Sequence, residues 1–273
     1  NVNPYYDDFS EDKNFHRVLF RPGFAVQARE LTQLQTILQK QIERFGSHVF
    51  EEGSMVIPGD LNFDLEYDFI KINASYNGES VESYRANLLD KIISNTNGLK
   101  ARVIGSTAVS DNDPITLYIK YENTATSDNT TQVFTRNETL TATNANNTTT
   151  TNTNLTSNQT TEYTVQVQDT ETAVGTGSAA RVHAGAYYVL GNFVANTEQT
   201  ILLDKYTNTP SYRIGFTITE SFITPEDDVT LNDNARGSTN ENAPGAHRYK
   251  ILLTLSKKTL IDTDDDDFIE LAR

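Results

Sequence analysis

Gly175-Thr-Gly177-Ser-Ala-Ala180 carries the G-x-G-x-x-A spacing of a dinucleotide-binding turn, with a strand-like run before it and Asp204 downstream. That chemistry needs the glycines to open a helix, because the pyrophosphate is held by the N–H groups and positive end of a helix N-terminus. The next residues, Arg181-Val-His-Ala-Gly-Ala-Tyr-Tyr-Val-Leu190, form a strand-like run that itself contains a glycine. The glycines therefore read as a hairpin or bulge, and no cofactor is assigned to them.

Asp262-Thr-Asp264-Asp-Asp266-Asp267 imitates the first positions of a calcium loop. Its sixth position, where the turn requires Gly, is Asp267, and its twelfth, where a bidentate Glu belongs, is Arg273. The run reads better as a solvated acidic turn between two strands. His16, His48, His183 and His247 are scattered without metal-ligand spacing, so each is expected to be a buried or interfacial histidine. There is no Cys and no G-x-S-x-G, which removes thiol nucleophiles, thiolate metal sites and disulfides. Carboxylates are abundant, but abundance does not make a glycosidase pair. No catalytic, cofactor-binding or metal-binding residue is assigned.

The chain has 273 residues and a net charge of −15, and 37% of its residues are hydrophobic. Phosphate recognition needs clustered Lys and Arg, so nucleic acid is an unsuitable partner and an anionic membrane surface equally so. No apolar run is long enough to insert in a bilayer. The sequence opens on Asn1, and strand-like alternation resumes at Phe268–Leu271. The expectation is a segment of a longer product that continues into more β structure.

The elements that would position any working face can be read from periodicity. Between Phe24 and Phe45, Leu31, Leu34, Leu38, Ile42 and Phe45 recur in steps of 3, 4, 4 and 3, with Val26 and Ile37 beside them. That spacing predicts one amphipathic helix, preceded by Pro22-Gly23 and stopped by a C′ glycine at Gly46. After Gly53 the period becomes two. Strands are predicted at 55–58, 63–72, 98–105, 115–121, 163–167, 180–194, 200–203, 212–222 and 249–255, with a hairpin turn at Asn77-Gly78 and a short helix over 83–93. The fold class is mainly β with an N-terminal α-helix: antiparallel β domains interrupted by a Thr/Asn-rich insertion.

The linear organisation reads as 1–53 (arm and amphipathic helix), 54–122 (first β-rich domain), 123–162 (insertion) and 163–273 (second β-rich domain). Within the insertion Val133, Phe134, Leu140 and Leu155 are the residues able to anchor a core, and both disorder and a Thr-rich surface β insertion fit the composition. Sequons at Asn129, Asn137, Asn147, Asn154 and Asn158 are what an Asn/Thr-rich stretch produces by chance. The helical stripe has two readings, docking on the chain's own β strands or meeting copies of itself. The second is preferred, with Leu31, Leu34, Leu38, Ile42 and Phe45 as the oligomer interface. Gln41 falls at a core position of a strict heptad, so a short three-helix contact is expected rather than a long coiled coil.

Asn3-Pro-Tyr-Tyr-Asp-Asp-Phe9, Phe15-His-Arg-Val-Leu-Phe-Arg-Pro-Gly23 and Ala28-Arg-Glu-Leu-Thr-Gln-Leu-Gln35 form a distinctive opening. It resembles the N-terminal part of a family of tail-associated virion proteins from contractile-tailed phages, notably the T-even-like phages of marine cyanobacteria. Gly185–Phe193 and Asn242-Ala-Pro-Gly-Ala-His-Arg248 with Tyr249–Leu255 look like later blocks of that family. The resemblance implies a structural component of the baseplate or tail-fibre network, located in the virion and partnered by other tail, baseplate or fibre proteins. It brings no enzymatic residues, and by analogy with fibre proteins it implies a homotrimer. Two rivals stand beside it. One is a receptor- or carbohydrate-binding β module in which Tyr187 and Tyr188 face sugar. The other is a tailspike-type depolymerase working through paired carboxylates.

Overall fold

A computed structural model describes residues 4–110, 113–123, 132–143 and 163–273. The structure is mainly antiparallel β with one long N-terminal helix. Helix α1 spans Ala28–Val49. Strands succeed it in the order β1 (Met55–Ile57), β2 (Leu61–Lys71), β3 (Ser75–Tyr76), β4 (Glu79–Ser80), β5 (Ile92–Ser94), β6 (Lys100–Thr107), β7 (Thr116–Tyr121) and β8 (Thr139–Thr143). Then come β9 (Tyr163–Gln166), β10 (Val174–Val182), β11 (Gly185–Val189), β12 (Asn192–Asn196), β13 (Gln199–Asp204), β14 (Tyr212–Ile223), β15 (Arg248–Thr259) and β16 (Phe268–Ala272).

Two compact units form, and neither is a continuous stretch of chain. The first contains Asn1–Asn62, Arg181–Ile201 and Ser211–Arg273; the second contains Phe63–Ala180 and Leu202–Pro210. The units interleave, whereas hydrophobic pattern divides the chain linearly at 53/54, 122/123 and 162/163. Pattern registers where an element begins, but long-range strand pairing decides which body it joins.

In the second unit an eight-stranded sheet runs in the order β13-β10-β2-β7-β6-β5-β8-β9. Ile70, Leu117, Ile119, Val103, Ile93 and Leu140, drawn from five of its strands, are all essentially without solvent exposure. In β7 the sequence alternates, yet Thr116 through Ile119 are all buried, so both faces are covered. Asn77 and Gly78 take φ of 49° and 85° between paired Tyr76 and Glu79. That left-handed pair makes the hairpin turn expected from the dipeptide. The helix expected over 83–93 does not form. Two 3-10 turns, Val81–Ser83 and Arg85–Leu88, lead into β5 instead, and Val81 and Leu88 point into the core.

The Thr/Asn-rich stretch lies mostly outside the described residues, including Leu155 and four of its five sequons. Its described part is not peripheral. Phe134 and Leu140 are buried, and β8 pairs with β5 on one side and β9 on the other, while Val133 is exposed. A few apolar residues thus suffice to recruit a Thr-rich strand into a sheet interior.

In the first unit β11 pairs with β1 and β12, and β14 pairs with β15 and β16. The β11–β12 turn is made by Leu190 and Gly191, with φ of 49° and 73°. Among the described residues no helix is long and apolar enough to cross a membrane.

Candidate functional site

Helix α1 starts with a reciprocal cap: Gln27 and Glu30 each take up the other's backbone N–H, so two donors of the first turn are satisfied. It runs past Gly46 and ends at Phe50, whose N–H donates to the Gly46 carbonyl at 2.8 Å. The expected C′ role of Gly46 is therefore corrected. Gly46 is helical, and it is glycine because a Cβ there would meet the Tyr188 ring at 2.5 Å. The Tyr188 hydroxyl donates to the Glu43 carbonyl at 2.9 Å, and Phe50 packs on Tyr188 and Phe193 with centroids 5.9 and 5.7 Å away. These contacts dock the last turns of α1 on β11 and β12.

A second side of the helix is covered by the N-terminal arm. Asp8 pairs with Arg29 at 3.0 Å, Thr36 donates to Asp7 at 2.6 Å, and Glu11 pairs with Arg44 at 3.0 Å. Ile37 is buried on this side. Tyr5 extends the arm to the end of the β14–β15 ribbon, where it contacts His247 and packs its ring, tilted, against Phe222.

The stripe remains. Leu31, Leu34, Leu38, Ile42 and Phe45 are between 37% and 68% exposed, and Val49 continues the row at 58%. Among the described residues nothing covers this face. The two sides it does bury carry Ile37, beside the arm, and Gly46, against Tyr188.

Over residues 3–116 the chain is similar to a family described as a domain of unknown function, DUF4815. No curated protein and no solved structure matches it. The matched stretch holds the arm, α1 and the strands through β6.

The other residues singled out by type behave differently from expectation. Gly175 and Gly177 lie within β10, in neither a hairpin nor a helix-opening turn. A Cβ at Gly175 would press on the Phe69 ring, and one at Gly177 would meet the Asp204 and Lys205 carbonyls at 2.7 and 2.6 Å. Close approach inside a sheet accounts for both. Tyr187 and Tyr188 are buried, with hydroxyls spent on the Gly59 and Glu43 carbonyls, so neither presents a ring to a sugar. None of the four histidines is buried: His16, His48 and His247 are exposed, and His183 is half-buried beside Glu198 at 3.3 Å. Among the described residues no three His, Asp or Glu side chains gather to hold a metal.

Sequence reasoning missed two charged centres. The acidic run is no freely solvated loop, because Arg213, 5% exposed, reaches into it from β14. Its guanidinium donates to Asp265 at 2.7 Å, to the Asp262 carbonyl at 2.5 Å and to Glu270. The hydrogen bonds from Arg213, with its charge, hold both carboxyls below the usual carboxylate range. In the second unit Asp64, Glu66 and Asp68 alternate along β2. Burial of Asp68, with repulsion from Glu66 and Asp64, pushes its carboxyl up to about 6. The i, i+2, i+4 carboxylates were a readable signal for the second centre. Nothing local signals the first.

Proposed function

We propose that this chain is a structural protein of a phage virion, in the tail baseplate or fibre-attachment region, acting through subunit contacts and not through catalysis. The observation that carries the reading is the apolar row on α1 that the described residues of its own chain leave uncovered. Soluble monomers seldom expose a contiguous apolar patch of that extent, and where one occurs it marks a contact surface. The arm–helix layout supports the same reading. Two ion pairs and a hydrogen bond clamp the arm to one side of α1 and keep the opposite side free. The blocks Phe15–Gly23 and Ala28–Gln35, which carry the resemblance to tail-associated virion proteins, lie in this arm and helix. Three copies meeting through the row, with tail, baseplate or fibre proteins bound around them, make the assembly; nucleic acid, cofactor and metal have no part in it.

Mass spectrometry of purified phage particles with gold-labelled antibody against the chain tests the proposal. The expected result is a stoichiometric virion component with label at the tail end. Absence from particles, or label on the head alone, overturns it. Release of reducing sugar from host polysaccharide by the purified chain overturns the non-catalytic part.

A further inference from the structure

The exposed row on α1 has a period of its own. Leu31 recurs as Ile42, Leu34 as Phe45 and Leu38 as Val49, each pair eleven residues apart. At 3.6 residues per turn the six side chains fall within an arc of about 80°. An eleven-residue repeat corresponds to 3.67 residues per turn, and helices that keep it wind straight or slightly right-handed; a seven-residue repeat winds left-handed. A heptad seam begun at Leu31 in steps of 3 and 4 would place Gln41 and His48 in the contact, and one begun in steps of 4 and 3 would place Gln35 there instead of Leu34. The exposed apolar residues are Leu34, Ile42 and Val49.

The borders of the row say what meets it. Gln41 lies on one side and Gln35 with Gln39 on the other, all uncharged; Glu30 and His48 lie just beyond Gln41, the Glu30 carboxylate taken up by the Gln27 N–H at the helix start. Arg29, Lys40, Glu43 and Arg44 lie away from it, where the first and last are paired to the arm and the middle two to each other at 2.7 Å. A chain of net charge −15 repels its own copies through most of its surface. The neutral row is a surface that two copies share without that repulsion. The six residues expose on the order of 600 Å² per helix, so two such faces together clear the ~1,000 Å² of a specific interface.

We infer that α1 is a self-association element with an eleven-residue seam: copies of the helix run parallel around a common axis and pack Leu31, Leu34, Leu38, Ile42, Phe45 and Val49 in successive layers. This deepens, and rests on, the proposal that the chain works through subunit contacts. Parallel packing follows from cyclic symmetry about an axis along the helices, which sets every layer against itself.

The chain has no Cys, so single cysteines report the seam directly. Leu34→Cys, Gln35→Cys, Ile42→Cys, Val49→Cys, Gln41→Cys and His48→Cys are made in the full chain and oxidised mildly, and interchain disulfide is followed on non-reducing gels beside sedimentation velocity. Expected are an oligomeric wild type and cross-linking at 34, 42 and 49 about tenfold faster than at 35, 41 and 48, through higher local concentration. Faster coupling at 41 and 48, or at 35 than at 34, would mean a heptad seam and overturn the inference. So would equal rates at all six positions with a monomeric wild type. Preferential coupling of Leu31→Cys with Val49→Cys in a mixture would overturn the parallel arrangement. Particle labelling is indifferent to all these outcomes, and a chain absent from particles that still cross-links at 42 and 49 keeps the seam while losing the virion assignment.

Discussion

The sheet interior of the second unit and helix α1 of the first are built from the same kinds of residue at equally regular spacing, yet one is sealed and the other open. Ile70, Leu117 and Ile119 have their partners on adjacent strands of the same chain. Leu34, Leu38 and Ile42 stay exposed among the described residues. Periodicity states that a face is apolar; only the fold states whether the chain itself covers it. The difference separates residues that hold this chain together from residues that are free to hold chains to one another.

The largest expected effect tests that separation. Leu117→Ala, in the sealed sheet, should lower unfolding stability by about 2–5 kcal/mol through lost transfer energy and a cavity. Leu38→Ala, on the open row, should change monomer stability by less than about 0.5 kcal/mol. Denaturant titration at a concentration where the chain is monomeric measures both. A loss of similar size at Leu38 would show that the row is part of this chain's own core.

A smaller effect concerns how α1 is held. Gly46→Ala puts a methyl 2.5 Å from the Tyr188 ring, and overpacking of this kind costs about 1–3 kcal/mol. The ring must shift, which strains its hydroxyl contact with Glu43. Hydrogen exchange should therefore rise over residues 43–50 while amides of β6 and β7 stay protected. Uniform acceleration across the molecule would mean that the docked end of the helix is inseparable from the rest.

How much of this is legible in the sequence depends on distance along the chain. The helix, the Asn77-Gly78 hairpin and the strand alternation are local and legible. The stripe is legible as apolar, but its exposure is not, because the arm and β11 claim other faces of α1. The Tyr187 and Tyr188 hydroxyls find carbonyls 128 and 145 residues away, so exposed-looking tyrosines turn out to be buried anchors. Arg213 meets its acidic partners about fifty residues downstream, and no spacing rule joins them. Phe134 and Leu140 are visible as the apolar residues of a Thr/Asn stretch, but only pairing with β5 and β9 puts that strand inside a sheet.

The smallest expected effect sharpens the comparison through pH, because the two units respond with opposite sign. In the first unit Arg213 depresses the carboxyls of Asp265 and Glu270, so their contribution is complete above the ordinary carboxylate range and is lost as pH falls through their lowered values. Asp68 in the second unit is raised to about 6 by burial and by Glu66 and Asp64. Its contribution is complete while the unfolded carboxyl is still protonated and is lost as pH rises through about 6, since the folded state then holds a charge in a poorly solvated place. Asp68→Asn removes that charge and keeps the shape. With the screening of a half-buried group discounted, the gain above pH 6 should be about 1 kcal/mol, with no gain below about pH 4. Thermal unfolding from about pH 3.5 to 8 measures it. A uniform gain at all pH values would mean that the amide acts by packing, and a loss above pH 6 would mean that the Asp68 carboxylate makes a favourable ionic contact there.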